Sequence, residues 1–265
     1  MTTYTTDKAE QADYYDHKVA DREFEINRPH GESRLYRYLM DFKFTRVARL
    51  LSTPLQGSTV LDICCGSGMD AEYLVRAGAK VIALDISDGC LDRARIRADR
   101  YGLSYHLVRG DAENLPFANG SFDYGFVHDG LHHLPQPDRA IAELTRIARR
   151  GIIVTEPADA AITKLLIRVG IMQPYEEAGN FVIRFRSDRL ESLCRSLGFS
   201  RIKSARYLVK YGHPPASWWR RFDSGLLFLA ARAGFLLVGV ALLGRWGNKL
   251  AFVAEKHQPA VGESS

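Results

Sequence analysis

Three aspartates in this chain each end or follow a short apolar segment with the composition of a β-strand. Asp62 ends the segment 59–62, Asp85 ends the segment 80–85, and Asp111 follows the segment 105–108. The first two are 23 residues apart, which suits one strand–helix–strand unit. Because the carboxyl ends of parallel strands meet at one edge of a sheet, we expect the three carboxylates in one site.

A glycine-bearing turn, Cys-Cys-Gly-Ser-Gly at 64–68, follows the first segment and opens a predicted helix. Such turns bind nucleotides at helix N-termini. Residues 66–71 fit the loose dinucleotide pattern G-x-G-x-x-G/A. A carboxylate at Asp62 would repel a pyrophosphate, whereas S-adenosylmethionine offers an ammonium and a sulfonium group. The pattern therefore favours S-adenosylmethionine, and an NAD-binding oxidoreductase remains the alternative.

Three histidines, His128, His132 and His133, come directly after a fourth predicted strand at 122–127. Histidine titrates near neutral pH and can accept a proton from an oxygen acceptor. We predict these three as catalytic candidates, with His128 beside Asp129 as the first choice; the alternative is that they shape the loop. No carboxylate stands at metal-ligand spacing from them, so the sequence predicts no metal site.

The elements that must position these residues alternate between strands and helices. Further strands are predicted at 151–155, near 205–209 and at 250–254. Ser87 is the expected N-cap of the helix after the second strand, and Gly102 its expected stop. This alternation is typical of a doubly wound α/β sheet.

Four motifs in this order resemble those of the class I, seven-stranded, Rossmann-like S-adenosylmethionine-dependent methyltransferases. They read VLDICCGSG, ALDIS, GDAENLPF and FDYGFVHDGLHHL, and the last two are most similar to the ubiquinone and menaquinone methyltransferase-like branch. The resemblance is close over 58–157. It implies a mostly parallel sheet with an antiparallel last strand. One departure is Cys64, which stands where the family usually has its first glycine.

The resemblance also implies roles for individual residues. Asp62 and Gly66 would meet the methionine end, Asp85 the ribose, and Asp111 with the Ala112 amide the adenine. The predicted cofactor contacts are Asp62, Cys64, Gly66, Gly68, Asp85, Ile86, Asp111, Ala112 and His128. The structural alternatives are a plain tight turn for the two glycines, a helix N-terminal acid for Asp85 and a turn residue for Asp111.

Composition agrees with one large α/β domain. The chain has 265 residues, is 46% hydrophobic and carries a net charge of +5. The arginines at 93, 95, 97 and 100 are expected on a solvated helix face, and no nucleic-acid-binding module is recognised. The cysteine spacing suggests neither a metal site nor a disulfide framework, and residues 1–10 lack the apolar core of a signal peptide. We therefore expect a cytoplasmic protein.

Three regions are predicted around the core at 58–157. Residues 1–57 form an N-terminal helical cap, in which Tyr14 and Tyr15 either cover the cofactor or simply pack. Residues 158–265 contain the remaining strands, an acceptor-side insertion at 158–187 and a hydrophobic helical insertion at 212–247.

The hydrophobic insertion contains the apolar run 225–244, interrupted only by Arg232. Its length suggests a membrane span, but a last strand that returns to the sheet puts both ends of the run on one side of a bilayer. We predict instead a helical hairpin broken near Ala233 and Gly234. Its apolar face would lie on the inner face of a membrane, line an acceptor pocket, form a homodimer or pack as a core layer. The residues expected near the headgroups are Trp218, Trp219, Arg220, Arg221 and Arg245.

The predicted function is methyl transfer from S-adenosylmethionine to an oxygen or carbon of a small or lipid-like acceptor. Two alternatives remain from the sequence: the NAD-binding oxidoreductase, and a non-catalytic module that binds S-adenosylmethionine.

Overall fold

The computed structural model describes residues 7–170, 173–176 and 179–257. These residues contain a seven-stranded sheet. The two ends of the chain, 1–6 and 258–265, lie outside the described residues, as do Glu177 and Ala178. The strands are β1 Thr59–Ile63, β2 Lys80–Asp85, β3 His106–Arg109, β4 Phe122–His128, β5 Ala148–Pro157, β6 Arg201–Tyr207 and β7 Lys249–Glu255.

The strand order is β3-β2-β1-β4-β5-β7-β6. Strands β1 to β5 pair in parallel, and β7 is antiparallel to both of its neighbours, β5 and β6. The carboxyl ends of β1 to β6 therefore meet at one edge of the sheet, and β7 begins there. The predicted fold class, with its antiparallel last strand, is confirmed.

Helices cover both faces of the sheet because the strands are apolar on both faces. Along β1, Leu61 and Ile63 enter one core and Val60 the other, as the two-residue period of a strand requires. The α-helices are α1 Lys8–Asp13, α2 Arg22–Asn27, α3 Arg34–Ala48, α4 Met69–Arg76, α5 Asp88–Tyr101, α6 Pro137–Ile147, α7 Ala161–Arg168, α8 Ser187–Ser196 and α9 Gly225–Gly234.

The ends of several elements test the sequence predictions. The Ser87 hydroxyl accepts the amide of Cys90 as the N-cap of α5, and Gly102 ends that helix in the left-handed conformation, so both predicted ends of α5 are confirmed. Strand β6 begins and ends earlier than the predicted 205–209. It is a sheet edge rich in charged side chains, and these hide its apolar signal.

The prediction that all four arginines of α5 are solvated is wrong for two of them. Arg93 is 4% exposed and Arg97 is fully buried. The Arg97 guanidinium donates to Glu72 on α4 and to the main-chain carbonyls of Ser67, Glu25 and Arg28. A buried cation needs such partners, and they come from segments that the helical spacing of α5 does not reveal.

We expect Arg97→Met to lower the free energy of unfolding by about 3–5 kcal/mol, because it leaves buried acceptors without their donor. The matched control on the same helix is Arg95→Met. Arg95 pairs with Asp92 at the surface, so this change should cost less than about 0.5 kcal/mol. Urea unfolding followed by circular dichroism measures both, and equal costs would contradict the role of Arg97.

The hydrophobic insertion forms one continuous helix rather than the predicted hairpin. The helix α9 continues without a break into a π-helical stretch, Phe235–Leu242, and Gly234 has helical dihedrals, φ −59° and ψ −43°. Aromatic contacts from both halves hold it against Tyr38 on α3, through Phe228 and Phe235. This packing outweighs the cost of about 1 kcal/mol of one glycine in a helix.

The whole segment, Gly225–Leu242, is called the apolar helix below. Within the described residues it is the one helix that is long and apolar enough to cross a membrane, judged by length and composition alone. Its two flanks join β6 and β7, which are adjacent strands, so the insertion leaves and re-enters the sheet at the same edge.

Candidate active site

A cavity of about 770 Å³ opens at the carboxyl edge of the sheet. Its wall includes most of the predicted cofactor contacts: Cys64, Gly66, Asp85, Ile86, Asp111, Ala112 and His128. The strand ends thus bring together residues that are up to 64 positions apart in the chain. Asp62 and Gly68 are the two predicted contacts that the wall does not include.

Asp62 lies behind the cavity wall. It is 1% exposed, and one of its carboxylate oxygens has no hydrogen-bond partner among the described residues. Burial raises the pKa of this carboxyl well above its usual range, and the charges of Asp70 and Asp85 raise it further. In the sheet Asp62 pairs with Ala83 rather than Asp85, so it sits two residues inside the edge. Its direct contact with a cofactor stays a prediction.

Gly68 makes the tight turn that opens α4. It is the N-cap of that helix with φ 76°, and a Cβ added there would lie 2.7 Å from the Tyr105 hydroxyl. Both the left-handed conformation and the close approach require glycine. For Gly68 the structure therefore supports the turn alternative.

Asp85 fixes the geometry between the first two strand ends. One carboxylate oxygen accepts the Gly66 amide at 2.9 Å, and the other accepts the Ser87 amide at 3.0 Å. Burial raises the pKa of Asp85, although these amide donors oppose the rise. The carboxylate is held rigidly in the cavity wall, where a ligand hydroxyl can reach it.

Asp111 is covered by the N-terminal region. The Lys8 ammonium on α1 lies 2.7 Å from its carboxylate. Burial would raise the pKa of Asp111, but the hydrogen bond from Lys8 brings it below its usual value. Tyr14 and Tyr15 also lie in the cavity wall, so the N-terminal segment closes this side of the site.

His128 is ion-paired on both ring nitrogens. Its Nδ1 lies 2.8 Å from the Asp70 carboxylate and its Nε2 lies 3.3 Å from that of Asp129. Burial alone would lower the pKa of His128, yet the charge of Asp70 raises it above the ordinary value. A raised pKa favours the protonated imidazole, which is a poorer proton acceptor; the catalytic role of His128 stays a prediction.

Asp129 belongs to a charged group that the sequence did not indicate. It has φ 50°, unusual for a residue other than glycine, and its carboxylate lies between the ammonium groups of Lys43 and Lys249. Burial would raise its pKa, but the lysines hold it well below the usual range. Lys43 lies in an otherwise apolar helix face, where no pattern marks it as a site residue.

His132 and His133 face two glutamates that sequence reasoning missed. His132 Nδ1 lies 2.7 Å from Glu156, and its Nε2 lies 3.2 Å from Glu176; His133 Nε2 lies 3.3 Å from the second oxygen of Glu176. Burial would lower the pKa of His132, but Glu156 raises it to about 10. Burial, reinforced by the charge of His132, lowers the pKa of His133 to about 4.

These glutamates remove the reason for predicting no metal site, since carboxylates do lie beside the histidines. Glu156 lies near the end of β5, as Asp85 lies at the end of β2. The pattern that indicated Asp85, an acid that follows an apolar strand, therefore also indicates Glu156. Glu176 comes from the insertion 158–187, 44 residues after His132, and its position has no signal in the spacing.

Comparison with known proteins agrees with this geometry. Residues 60–151 match the family model described as a methyltransferase domain. This part of the chain is therefore similar to methyltransferase domains. Its structure superposes on that of magnesium protoporphyrin IX methyltransferase from Synechocystis PCC 6803 with bound SAH, with a TM-score of 0.66 and 20% identity, covering 95% of this chain and 100% of that one.

Two curated methyltransferases are similar in sequence. Demethylmenaquinone methyltransferase of Thermobifida fusca is 41% identical over 99 residues, which are 36% of this chain and 41% of that protein. The phthiotriol/phenolphthiotriol dimycocerosates methyltransferase of Mycobacterium leprae is 33% identical over 141 residues, 52% of this chain and 47% of that protein. The match thus spans less than half the length of each relative. The predicted resemblance to the quinone methyltransferase-like branch is confirmed.

Within the residues that match the methyltransferase model, Cys64 is accommodated by a glycine that follows the neighbouring strand, β4. Cys64 has φ 54°, and its side chain occupies the space beside Gly130. A Cβ added at Gly130 would lie 2.6 Å from the Cys64 Cβ and 3.1 Å from Val127. The side chain of Cys64 therefore fits because Gly130 has no side chain.

We expect Gly130→Ala to cost about 1–3 kcal/mol of unfolding free energy because of this overlap. In a Cys64→Gly background the closest contact disappears, so the same change should cost at least about 1 kcal/mol less. Gly234→Ala, which meets open space, is the control and should not destabilise. Thermal and urea unfolding of the four variants measure the coupling, and an equal cost of Gly130→Ala in both backgrounds would refute it.

Proposed function

We propose that this protein transfers a methyl group from S-adenosylmethionine to an oxygen or carbon of a small, lipid-like acceptor. The observation that carries the proposal is the cavity at the carboxyl edge, whose wall presents Asp85, Asp111, Ala112 and the Gly66 turn together. The similar proteins support it, since two are named as methyltransferases of menaquinone and phthiotriol types and one solved structure holds SAH.

The charges of the wall suit this cofactor better than NAD. Asp85 would accept the ribose hydroxyl protons, Asp111 with the Ala112 amide would hold the adenine, and the Gly66 turn would lie against the methionine part. Asp70, which is also in the wall, adds a carboxylate on the side where Asp62 was expected. A pyrophosphate would meet like charges there, which disfavours the oxidoreductase alternative.

Methyl transfer asks mainly for alignment, because the sulfonium already activates the methyl group. A buried cavity that excludes water and fixes the acceptor in line supplies most of the catalysis. The contacts of His128 with Asp70 and Asp129 favour an electrostatic role for it in the wall. The catalytic roles predicted for His132 and His133 stay predictions.

Calorimetric titration should show micromolar binding of S-adenosylmethionine and S-adenosylhomocysteine, and none of NAD. Asp85→Asn should weaken this binding about 10- to 100-fold, because a charge-assisted hydrogen bond is lost. Asp88→Asn is the control, since Asp88 pairs with Arg109 at the surface, and it should bind normally.

An unchanged affinity of Asp85→Asn, with an intact circular dichroism spectrum, would remove Asp85 from the ribose role. Binding of NAD alone would overturn the cofactor. Transfer of a labelled methyl group to quinol or long-chain phenol acceptors tests the reaction itself. Binding without turnover across such acceptors would favour the non-catalytic module.

We also propose that the apolar helix lies on the surface of an anionic membrane. Its outward side chains are exposed although they are apolar: Leu226 is 84% exposed, and Leu229 and Leu237 are each more than half exposed. Phe228, Phe235 and Gly239 face the protein at helical spacing. Arg232 is exposed, but its guanidinium lies over the Tyr38 ring at 5.2 Å, which holds the one charge of the run against α3.

Both flanks of the apolar helix carry residues suited to the headgroup region. Trp218 and Trp246 are about half exposed, and Arg220, Arg221 and Arg245 are exposed beside them. Aromatic and cationic side chains at the borders of an apolar face are typical of interfacial helices. Two exposed apolar residues after β5, Leu165 on α7 and Val169 just beyond it, belong to the same edge as the cavity, where a lipid-like acceptor would arrive.

Replacing Arg220 and Arg221 by Gln should weaken binding to vesicles of phosphatidylglycerol and phosphatidylcholine about 30-fold, since each cation contributes about 1 kcal/mol. The double change Leu226→Gln and Leu237→Gln should weaken binding to vesicles with and without the anionic lipid. The control is Arg189→Gln with Arg195→Gln on α8, which should bind like the parent. Vesicle sedimentation measures all three.

Affinity for S-adenosylmethionine should not change in these variants, so the membrane proposal and the cofactor proposal fail separately. Parent protein that stays in solution with anionic vesicles would overturn membrane contact. A concentration-dependent dimer in analytical ultracentrifugation that Leu226→Gln disrupts would identify a second copy as the occupant of the face instead.

A further inference from the structure

We infer that His132, His133 and Glu176 form a binding site for one divalent transition-metal ion, for which Zn²⁺ is the best-suited probe. All three residues line the cavity at the carboxyl edge. None of the three is among the contacts assigned to S-adenosylmethionine. Metal binding can be measured without the cofactor, so the inference does not depend on the proposed function; only the use of the ion for an acceptor does.

The donor atoms have the separation that one ion requires. His132 Nε2 and His133 Nε2 lie 3.2 and 3.3 Å from the two oxygens of Glu176, and one ligand atom from each of the three residues lies within 4.8 Å of the others. A tetrahedral ion about 2.0–2.2 Å from its ligands places neighbouring donors about 3.3–3.6 Å apart. The cluster therefore needs little movement to close around an ion.

The surroundings of His132 resemble those of a metal ligand. Its Nδ1 donates to the buried carboxylate of Glu156 at 2.7 Å. That carboxylate is itself held by the amides of Gly130 and Leu131 at 2.9 and 2.7 Å. A carboxylate that orients the far nitrogen of an imidazole is the usual support of a metal-bound histidine. It fixes the ring so that Nε2 faces Glu176.

A structural ion triad is the competing interpretation. In that case His132 is an imidazolium between Glu156 and Glu176, and no ion is needed. The triad accounts for the contact between His132 and one oxygen of Glu176. It does not explain why a second imidazole, that of His133, faces the other oxygen. Two imidazoles converging on both oxygens of one carboxylate are the donor set of a two-histidine, one-carboxylate metal site.

The ligand types select the class of ion. Two imidazole nitrogens favour Zn²⁺ or Co²⁺ over Mg²⁺, which prefers oxygen. Asp129 also lies near His132, but Lys43 and Lys249 already neutralise its carboxylate, so it is not counted as a ligand. With three protein ligands, a coordination position stays open toward the cavity; an acceptor hydroxyl bound there would become more acidic, and a bound carbonyl would be polarised.

The test is calorimetric titration of the chelator-treated full chain with Zn²⁺, together with the visible absorption spectrum after Co²⁺ addition. We expect one equivalent of Zn²⁺ to bind with micromolar affinity or tighter, Mg²⁺ to bind at least 100-fold more weakly, and Co²⁺ to give the absorption bands of a low-coordinate site. Glu176→Gln and His133→Gln should each lower the Zn²⁺ affinity at least 10-fold.

The control is His106→Gln, because His106 is an exposed histidine on β3, away from the cluster, and this change should leave the affinity unaltered. Circular dichroism checks that each variant folds, and S-adenosylmethionine affinity is measured in parallel. A parent chain that binds no stoichiometric Zn²⁺, or whose binding survives both cluster variants, would overturn the metal site and leave the ion triad. Loss of cofactor binding alone would refute the proposed function and not the metal site.

Discussion

The buried guanidinium of Arg97 is the interaction on which the arrangement of the site depends most directly. It binds the turn after β1 through the Ser67 carbonyl, α4 through Glu72, and the N-terminal cap through the carbonyls of Glu25 and Arg28. Residues of all three segments line the cavity, among them Glu25, Ser67 and Asp70. A charge that cannot reach water fixes their mutual position, because each lost bond would leave a polar group buried and unsatisfied.

The same constraint orders the rest of the carboxyl edge. Four acids at this edge are each paired with a base from another part of the chain: Asp111 with Lys8, Asp70 with His128, Asp129 with Lys43 and Lys249, and Glu156 with His132. The three lysines come from α1, from α3 and from the start of β7, whereas the two histidines belong to the end of β4 and the turn after it. The additions to the common core therefore complete the electrostatics of the cavity as well as covering it.

Much of the core could be predicted from the sequence because its signals are local. Apolar segments that end in an acid mark the strand ends, and Ser87 and Gly102 mark the ends of α5. The depth of a residue within its strand is not local, however. Asp62 and Asp85 both close apolar runs, yet pairing with Ala83 places Asp62 two residues inside the sheet. Contacts between distant segments determine the positions of Glu176 and Lys43 and the burial of the Arg97 side chain. The break predicted near Gly234 is wrong because tertiary packing outweighs the low helix propensity of glycine.

Lys8 connects helix α1 to the site through two carboxylates, those of Asp111 and Glu113. Lys8 and Asp111 are each about one-third exposed, and ion pairs as exposed as this one contribute about 1 kcal/mol or less. Glu113 is buried, so moving Lys8 away would leave its carboxylate without a cation and out of reach of water. Rising ionic strength therefore loosens the Asp111 contact first, while the Glu113 contact keeps α1 over this side of the cavity.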